Sequence, residues 1–153
     1  MAYIENHNLN NECVFCSALE RLDGPENLII DRGQRAFVIL NRFPYTSGHL
    51  MVVPYRHQAN LELLDGETRA EMMELATLSL QVLKRVYDPQ GFNLGINIGE
   101  IAGAGITDHV HLHVVPRWGG DTNFMSSLGQ TRVIPERLED SYLRVKEKWG
   151  VVK

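Results

Sequence analysis

An α+β domain built on an antiparallel sheet is the fold class this sequence predicts, on three observations. Short apolar runs rich in β-formers gather on both sides of a central stretch, that stretch has helical periodicity, and a second helical stretch ends the chain. The 153 residues suit one compact domain over 1–153, long enough to bury a core without disulfide staples. No internal repeat, low-complexity tract or long linker marks a second unit.

In chain order, "NLIIDRGQRAFVIL" carries apolar runs at 28–30 and 36–40 around a turn at Gly33, the pattern of a hairpin. Pro44, Ser47 and Gly48 then make a turn, and a strand over 50–53 is stopped by Pro54. Over 67–87, Met73, Ala76, Leu80, Leu83 and Tyr87 recur at helical spacing, with Met72, Leu75, Val82 and Val86 widening the stripe. This is the main helix, packed on the sheet. "GFNLGINIG" alternates Phe92, Leu94, Ile96 and Ile98 as a strand, and a glycine-rich loop leads into "DHVHLHVVPR", a second strand. Pro135 opens the last helix, with Leu138, Tyr142, Val145 and Trp149 on one side and Gly150 closing it.

Composition, at 44% hydrophobic and 22% charged, is that of an ordinary globular chain. A net charge of −4 argues against a protein that coats nucleic acid, while leaving room for a local positive pocket. No apolar run reaches the roughly eighteen residues of a membrane span, and "MAYIENHNLN" lacks the basic and apolar regions of a secretory signal. The expectation is a cytoplasmic protein with neither nucleic acid nor membrane as partner.

His109, His111 and His113 occupy every second position of "DHVHLHVVPR". On a strand, residues two apart share a face at about 6.6 to 6.8 Å, so the imidazoles line one surface while Val110, Leu112 and Val114 face a core. On a helix the same spacing would scatter the rings around the axis. A lone histidine is more often a satisfied core or surface group, but three at period two on one strand point to chemistry. A neutral imidazole can attack phosphorus, and an unperturbed pKa of about 6.5 leaves it largely unprotonated near neutrality. His111, flanked on both sides, has the best position for a nucleophile. Metal binding is the rival, because His-x-His on a strand can present two nitrogens to zinc.

Cys13 and Cys16 form "CVFC", which reads as half a zinc site, a redox pair or two small core residues. A redox pair is expected after a strand and opening a helix, a context the early sequence does little to predict. Cys13, Cys16 and His57 supply three metal ligands, and His109 would complete a closed, structural zinc set while leaving His111 and His113 for chemistry. A zinc hydrolase using the whole triad as ligands would leave the cysteines idle. The loop before the triad brings Gly103, Ala104 and Gly105 near it, where backbone N–H groups could meet a phosphate; the plain alternative is a flexible connection. Arg117 could pair with phosphate or a carboxylate, or remain a solvated charge.

"HVHLHVV" resembles the His-φ-His-φ-His-φ-φ signature of the histidine-triad (HIT) nucleotide hydrolases and transferases. "VILNRFPYTSGHLMVVPYRH" is similar to that family's upstream nucleotide-binding strand and turn, so the resemblance covers nearly the whole chain. "HVVPRWGGDTNFM" and "CVFC" resemble the branch containing bacterial diadenosine-tetraphosphate phosphorylases. The resemblance implies an α+β homodimer with strands of two protomers paired into a continuous sheet. It implies that His111 attacks the α-phosphorus, that His113 contacts the phosphate or bridging atom, and that His109 supports the site and ligates metal in zinc-bearing members. Asn41 would hold the ribose hydroxyls, His49 would buttress the triad, and Asn97 would contact the nucleotide near the α-phosphate. In one departure, many relatives place Ser or Thr three or four residues before the triad, where this chain has Ile106 and Gly105. Thr107 lies one residue too late, which shifts phosphate binding toward backbone N–H groups.

The expected activity is cleavage of a nucleoside 5′-phosphoryl bond through a nucleotidyl-histidine intermediate. The substrate would be a dinucleoside polyphosphate, split by phosphorolysis or hydrolysis, or a nucleoside phosphoramidate. The alternative is a zinc-stabilised nucleotide-binding module with little turnover; only the enzyme needs both His111 and His113.

Overall fold

The computed structural model describes residues 13–122, 128 and 136–153. Among these, the strands β1 (Ile29–Arg32), β2 (Ala36–Leu40), β3 (Leu50–Pro54), β4 (Gly91–Ile96) and β5 (Leu112–Arg117) form one antiparallel sheet in the order β1-β2-β3-β5-β4. The helices are α1 (Val14–Leu19), α2 (Gly66–Tyr87) and α3 (Leu138–Val152), with single 3-10 turns at Leu61–Leu63 and Glu100–Ala102. The α+β class and the long and terminal helices are as the sequence predicts.

Helix α2 starts where Asp65 accepts the Thr68 N–H at 2.8 Å, and it carries Glu67 in its first turn and Lys84 and Arg85 in its last. Each feature offsets an end charge of the helix dipole. Its buried side, Met72, Leu75, Ala76, Val82 and Leu83, packs on β2, β3 and β5, while α3 lays Tyr142, Val145 and Trp149 against α2 and β1. Every residue of β2 and β3 is buried, so these central strands are covered on both faces. In register across the sheet, Ile39, Met51 and His113 stand side by side, and α1 faces this row across a cleft.

Three local expectations change. The histidine strand begins only at Leu112, leaving His109 and His111 in irregular chain before it. Pro54 ends β3 with no N–H to offer the ladder, its carbonyl instead accepts from the His109 ring at 2.8 Å, and the Val110 N–H turns aside to Gln58 O. Gly150 does not close the last helix, which runs on to Val152 because buried Trp149 anchors its final turn; Pro135 lies outside the described residues. Strand β4 stops at Ile96, two residues before Ile98. Helix α1 is an element the sequence did not announce.

Candidate active site and metal centre

Cys13, Cys16, His57 and His109 come together in a group able to hold a metal ion, their ligand atoms all lying within 4.8 Å of one another. Cys13 sits just before α1 and Cys16 in its first turn; His57 follows β3, and His109 begins the triad. The Cys13 Sγ is 3.4 Å and the Cys16 Sγ 3.8 Å from His109 Nδ1, and Cys16 Sγ is 3.4 Å from His57 Nδ1. His109 is fully buried and donates its Nε2–H to Pro54 O, which leaves the Nδ1 lone pair aimed at the sulfurs. Burial pushes the His109 pKa down to about 4, keeping the ring neutral as a ligand must be. Burial, then the charge of Cys13, pushes the Cys16 thiol up to about 12, so two thiolates here call for a cation between them.

The other two histidines have different hydrogen bonds. His111 Nδ1 lies 2.8 Å from His109 O; a carbonyl only accepts, so Nδ1 carries the proton and Nε2 the lone pair. His49 Nδ1 receives the Tyr45 N–H at 3.1 Å and faces Asn41 Nδ2 at 3.3 Å, so it is the acceptor and its Nε2–H donates. The recipient is His113 Nδ1 at 2.9 Å, and a neutral His113 therefore keeps its proton on Nε2. Burial lowers the pKa of His111, and burial followed by the charge of His111 takes His113 down to about 4. A lone pair on His111 and an N–H on His113 thus stand side by side, their ring centres 4.7 Å apart.

Backbone geometry fixes this relay. Gly48 has φ +80°, and a Cβ there would fall 2.6 Å from the Tyr87 ring, so only glycine lets the turn after β2 press against α2 and seat His49 in the core. Phe15, 1% exposed, places its ring 5.4 Å from His109 and 5.0 Å from His111 and so joins the metal group to the reactive one. Only its apolar character inside "CVFC" hinted at that.

A cleft of about 830 Å³ opens on His111 and His113. Val14, Phe15 and Ala18 of α1 form one wall, Ile39 and Met51 the other, and Asn41, Gly103 and Gly105 edge it. Asn41 Oδ1 accepts the Phe43 N–H at 2.9 Å. The Gly103 and Ala104 N–H groups are taken by Glu100 O and Gly99 O, which leaves Gly105, among the described residues, as the member of that trio whose N–H has no backbone acceptor. Asn97 does not line the cleft; its Nδ2 donates to Gly103 O at 3.4 Å and steadies the loop. The Thr107 hydroxyl donates to Asp108 at 3.2 Å and likewise stays outside.

The segment after the triad is a clamp remote from the cleft. Arg117 pairs with Asp121 at 2.5 Å and with Asn93 Oδ1 at 2.6 Å, which decides for the carboxylate over phosphate. Trp118 meets the Tyr87 ring edge-on at 6.3 Å, at the end of α2. Residues 123–125 of "RWGGDTNFM" lie outside the described residues.

Among known proteins, the family model for the HIT domain matches residues 22–120. The AP-4-A phosphorylase of Mycobacterium tuberculosis is 43% identical over 132 residues, covering 86% of this chain and 68% of that protein. The crystal structure of a Zn-bound histidine triad family protein from Mycobacterium smegmatis superposes with TM-score 0.72 at 28% identity, over 93% of this chain and 96% of the other. A hypothetical histidine triad nucleotide-binding protein from Sulfolobus tokodaii gives TM-score 0.74 at 29% identity, over 92% and 94%. With a model match across more than half its length, and with relatives that share its sequence and its fold, the chain belongs to the histidine-triad (HIT) family.

Proposed function

We propose that this protein splits diadenosine tetraphosphate by phosphorolysis through a nucleotidyl-histidine intermediate. The observation that carries the reading is the bond from His111 Nδ1–H to His109 O, which fixes the lone pair on Nε2 beside the cleft. His111 Nε2 forms a bond to the α-phosphorus, the bond from that phosphorus to the bridging oxygen breaks, and ATP leaves with the electron pair. The His113 Nε2–H lies where it hydrogen-bonds the bridging or phosphoryl oxygen as charge builds, and the Gly105 N–H supports a second oxygen. An orthophosphate oxygen then attacks the same phosphorus, the nitrogen–phosphorus bond breaks, and ADP is released. The base packs between Phe15 and Ala18 on one wall and Ile39 and Met51 on the other, with Asn41 at the ribose. The likeness to an AP-4-A phosphorylase favours orthophosphate over water as acceptor. Incubation with diadenosine tetraphosphate and labelled orthophosphate is expected to put label into ADP; accumulation of unlabelled AMP instead overturns phosphorolysis in favour of hydrolysis.

The metal in this reading is one structural zinc on Cys13, Cys16, His57 and His109. Tetrahedral zinc with ordinary bond lengths sets its ligand atoms about 3.4 to 3.8 Å apart; three sulfur–nitrogen separations here are 3.4, 3.4 and 3.8 Å, and all four ligand atoms lie within 4.8 Å of one another, so a small contraction would close the set. It would tie the N-terminal helix to the triad and take no part in bond making. Metal analysis of protein purified without chelators is expected to find one zinc per chain, and protein free of zinc overturns the assignment.

A homodimer belongs to the same proposal. Strand β4 is an edge of the sheet and shows Leu94, while Ile98 and Ile101 beside it are also exposed, an apolar border that a second copy would cover. Sedimentation at micromolar concentration should give twice the chain mass. No helix among the described residues is long and apolar enough to cross a membrane, and two free thiols poised for metal fit a reducing cytoplasm.

A further inference from the structure

Between β2 and β3 the chain makes a turn whose aromatic side chains the first nucleoside does not need. Phe43 is 79% exposed although it lines the cleft, and Tyr45, 46% exposed, stands two residues on. Both are held by the site's own hydrogen bonds: the Phe43 N–H goes to Asn41 Oδ1, and the Tyr45 N–H to His49 Nδ1. The Tyr45 ring lies 4.7 Å from His49 and, at 28° from parallel, 6.2 Å from His113.

We propose that Phe43 and Tyr45 form a stacking ledge for the second nucleobase of a dinucleoside polyphosphate, the base carried off by the leaving nucleotide. The inference rests on the dinucleotide reading of this cleft and says which side of it the leaving half occupies. The inner walls at Phe15, Ala18, Ile39 and Met51 enclose one base. His113 carries the N–H that faces the breaking bond, so the departing nucleotide passes it, and Tyr45 is the aromatic surface beside His113. Phe43 extends that surface outward to the rim. A phenyl ring turned to solvent costs hydrophobic free energy that the fold does not recover, and it offers a π-face that any base can use. A polyphosphate tether is flexible enough to lay the second base there, and stacking tolerates the range of orientations a tether allows.

Binding tests the ledge without relying on turnover. In protein carrying His111→Ala, calorimetry compares diadenosine tetraphosphate with adenosine 5′-tetraphosphate, which has the same phosphate chain and lacks the second base. The preference for the dinucleoside is expected to drop about tenfold when Phe43→Ala is added, and to return with Phe43→Trp. A preference that Phe43→Ala leaves unchanged overturns the ledge, and so does an equal loss for both ligands, which would mark Phe43 as a structural residue. Turnover with His111 intact is scored separately: a protein that shows the tenfold drop yet splits no dinucleotide keeps the ledge and loses the phosphorolysis reading.

Discussion

The first and middle histidines of the triad are one residue type prepared for opposite tasks. At one end His109 gives Nε2–H to Pro54 O and turns Nδ1 toward two sulfurs. Two residues later His111 gives Nδ1–H to His109 O and turns Nε2 toward a cleft. Both rings are buried and held neutral, so neither solvent exposure nor charge distinguishes the proposed ligand from the proposed nucleophile. The backbone carbonyl each ring meets makes the difference, by choosing which nitrogen keeps its lone pair. His113 shows the third outcome: a donor on its own Nδ1, the His49 Nε2–H, leaves it presenting a proton instead of a lone pair.

The comparison breaks most sharply at the nucleophile. His111→Ala is expected to lower kcat for diadenosine tetraphosphate by about 10⁴-fold or more while leaving affinity for AMP within about threefold, because covalent chemistry and nucleoside contacts use different atoms. Single-turnover assays with calorimetry read both quantities. Near-normal turnover would return the nucleophile to another residue.

At the metal end the same kind of substitution should act on folding. Helix α1 has six residues and no side-chain cap, too short to hold itself, and the proposed metal would pin it at Cys13 and Cys16. Removing the metal should lower unfolding free energy by about 4 kcal/mol when free metal had stood near 1,000 times its Kd. It should also weaken AMP binding, since Val14, Phe15 and Ala18 wall the cleft. Denaturant titrations with and without a chelator measure the first, and nucleotide titrations the second. Superimposed unfolding curves would mean the four residues hold no metal of structural weight.

What the sequence made legible follows the same division. The long helix was readable because its buried side repeats with the helical period, and the strands were readable as apolar runs bounded by turn residues, β2 and β3 being buried along their whole length; CxxC with a spare histidine was enough to propose the metal group. Helix α1 was not readable: six residues carry too few turns for a period, and its start has no Ser, Thr, Asp or Asn cap. Where the histidine strand begins was also hidden, because that depends on Pro54 and Gln58, carbonyls supplied from elsewhere in the chain. Pro54 O, a distant carbonyl, orients the His109 ring, and His109 O, two residues away in irregular chain, orients the His111 ring, so the sequence could nominate the three rings but could not orient them. Asn97 shows the same dependence on a partner supplied from elsewhere in the chain: its side chain donates to a loop carbonyl, Gly103 O, a contact that its place in the sequence does not announce.

A smaller effect is expected at Asn41, which touches both the cleft and the His49 end of the relay. Asn41→Ala should weaken nucleoside monophosphate binding by about 1 to 3 kcal/mol if the ribose hydroxyls lose a buried partner. Because Asn41 Nδ2 also faces His49 Nδ1, part of the loss should appear in kcat as well as in affinity. Unchanged affinity for AMP would take Asn41 out of the ribose site and leave it a role in holding the turn.

The smallest effect is expected at Thr107, and it tests how phosphate is bound. The family resemblance implies a hydroxyl three or four residues ahead of the triad for the phosphate; here Ile106 and Gly105 line the cleft, and the Thr107 hydroxyl is turned to the Asp108 carboxylate at 3.2 Å on an exposed loop. In the proposed reading the backbone N–H of Gly105 and the His113 ring, both lining the cleft, supply the donors to the phosphoryl oxygens. Thr107→Ala should change kcat/KM by no more than about twofold, the scale of an ordinary surface substitution of about 0.5 kcal/mol. Steady-state kinetics on diadenosine tetraphosphate measures it. A loss of about a hundredfold would mean that the loop rearranges to bring this hydroxyl onto the phosphate, and that the backbone does not stand in for the missing serine.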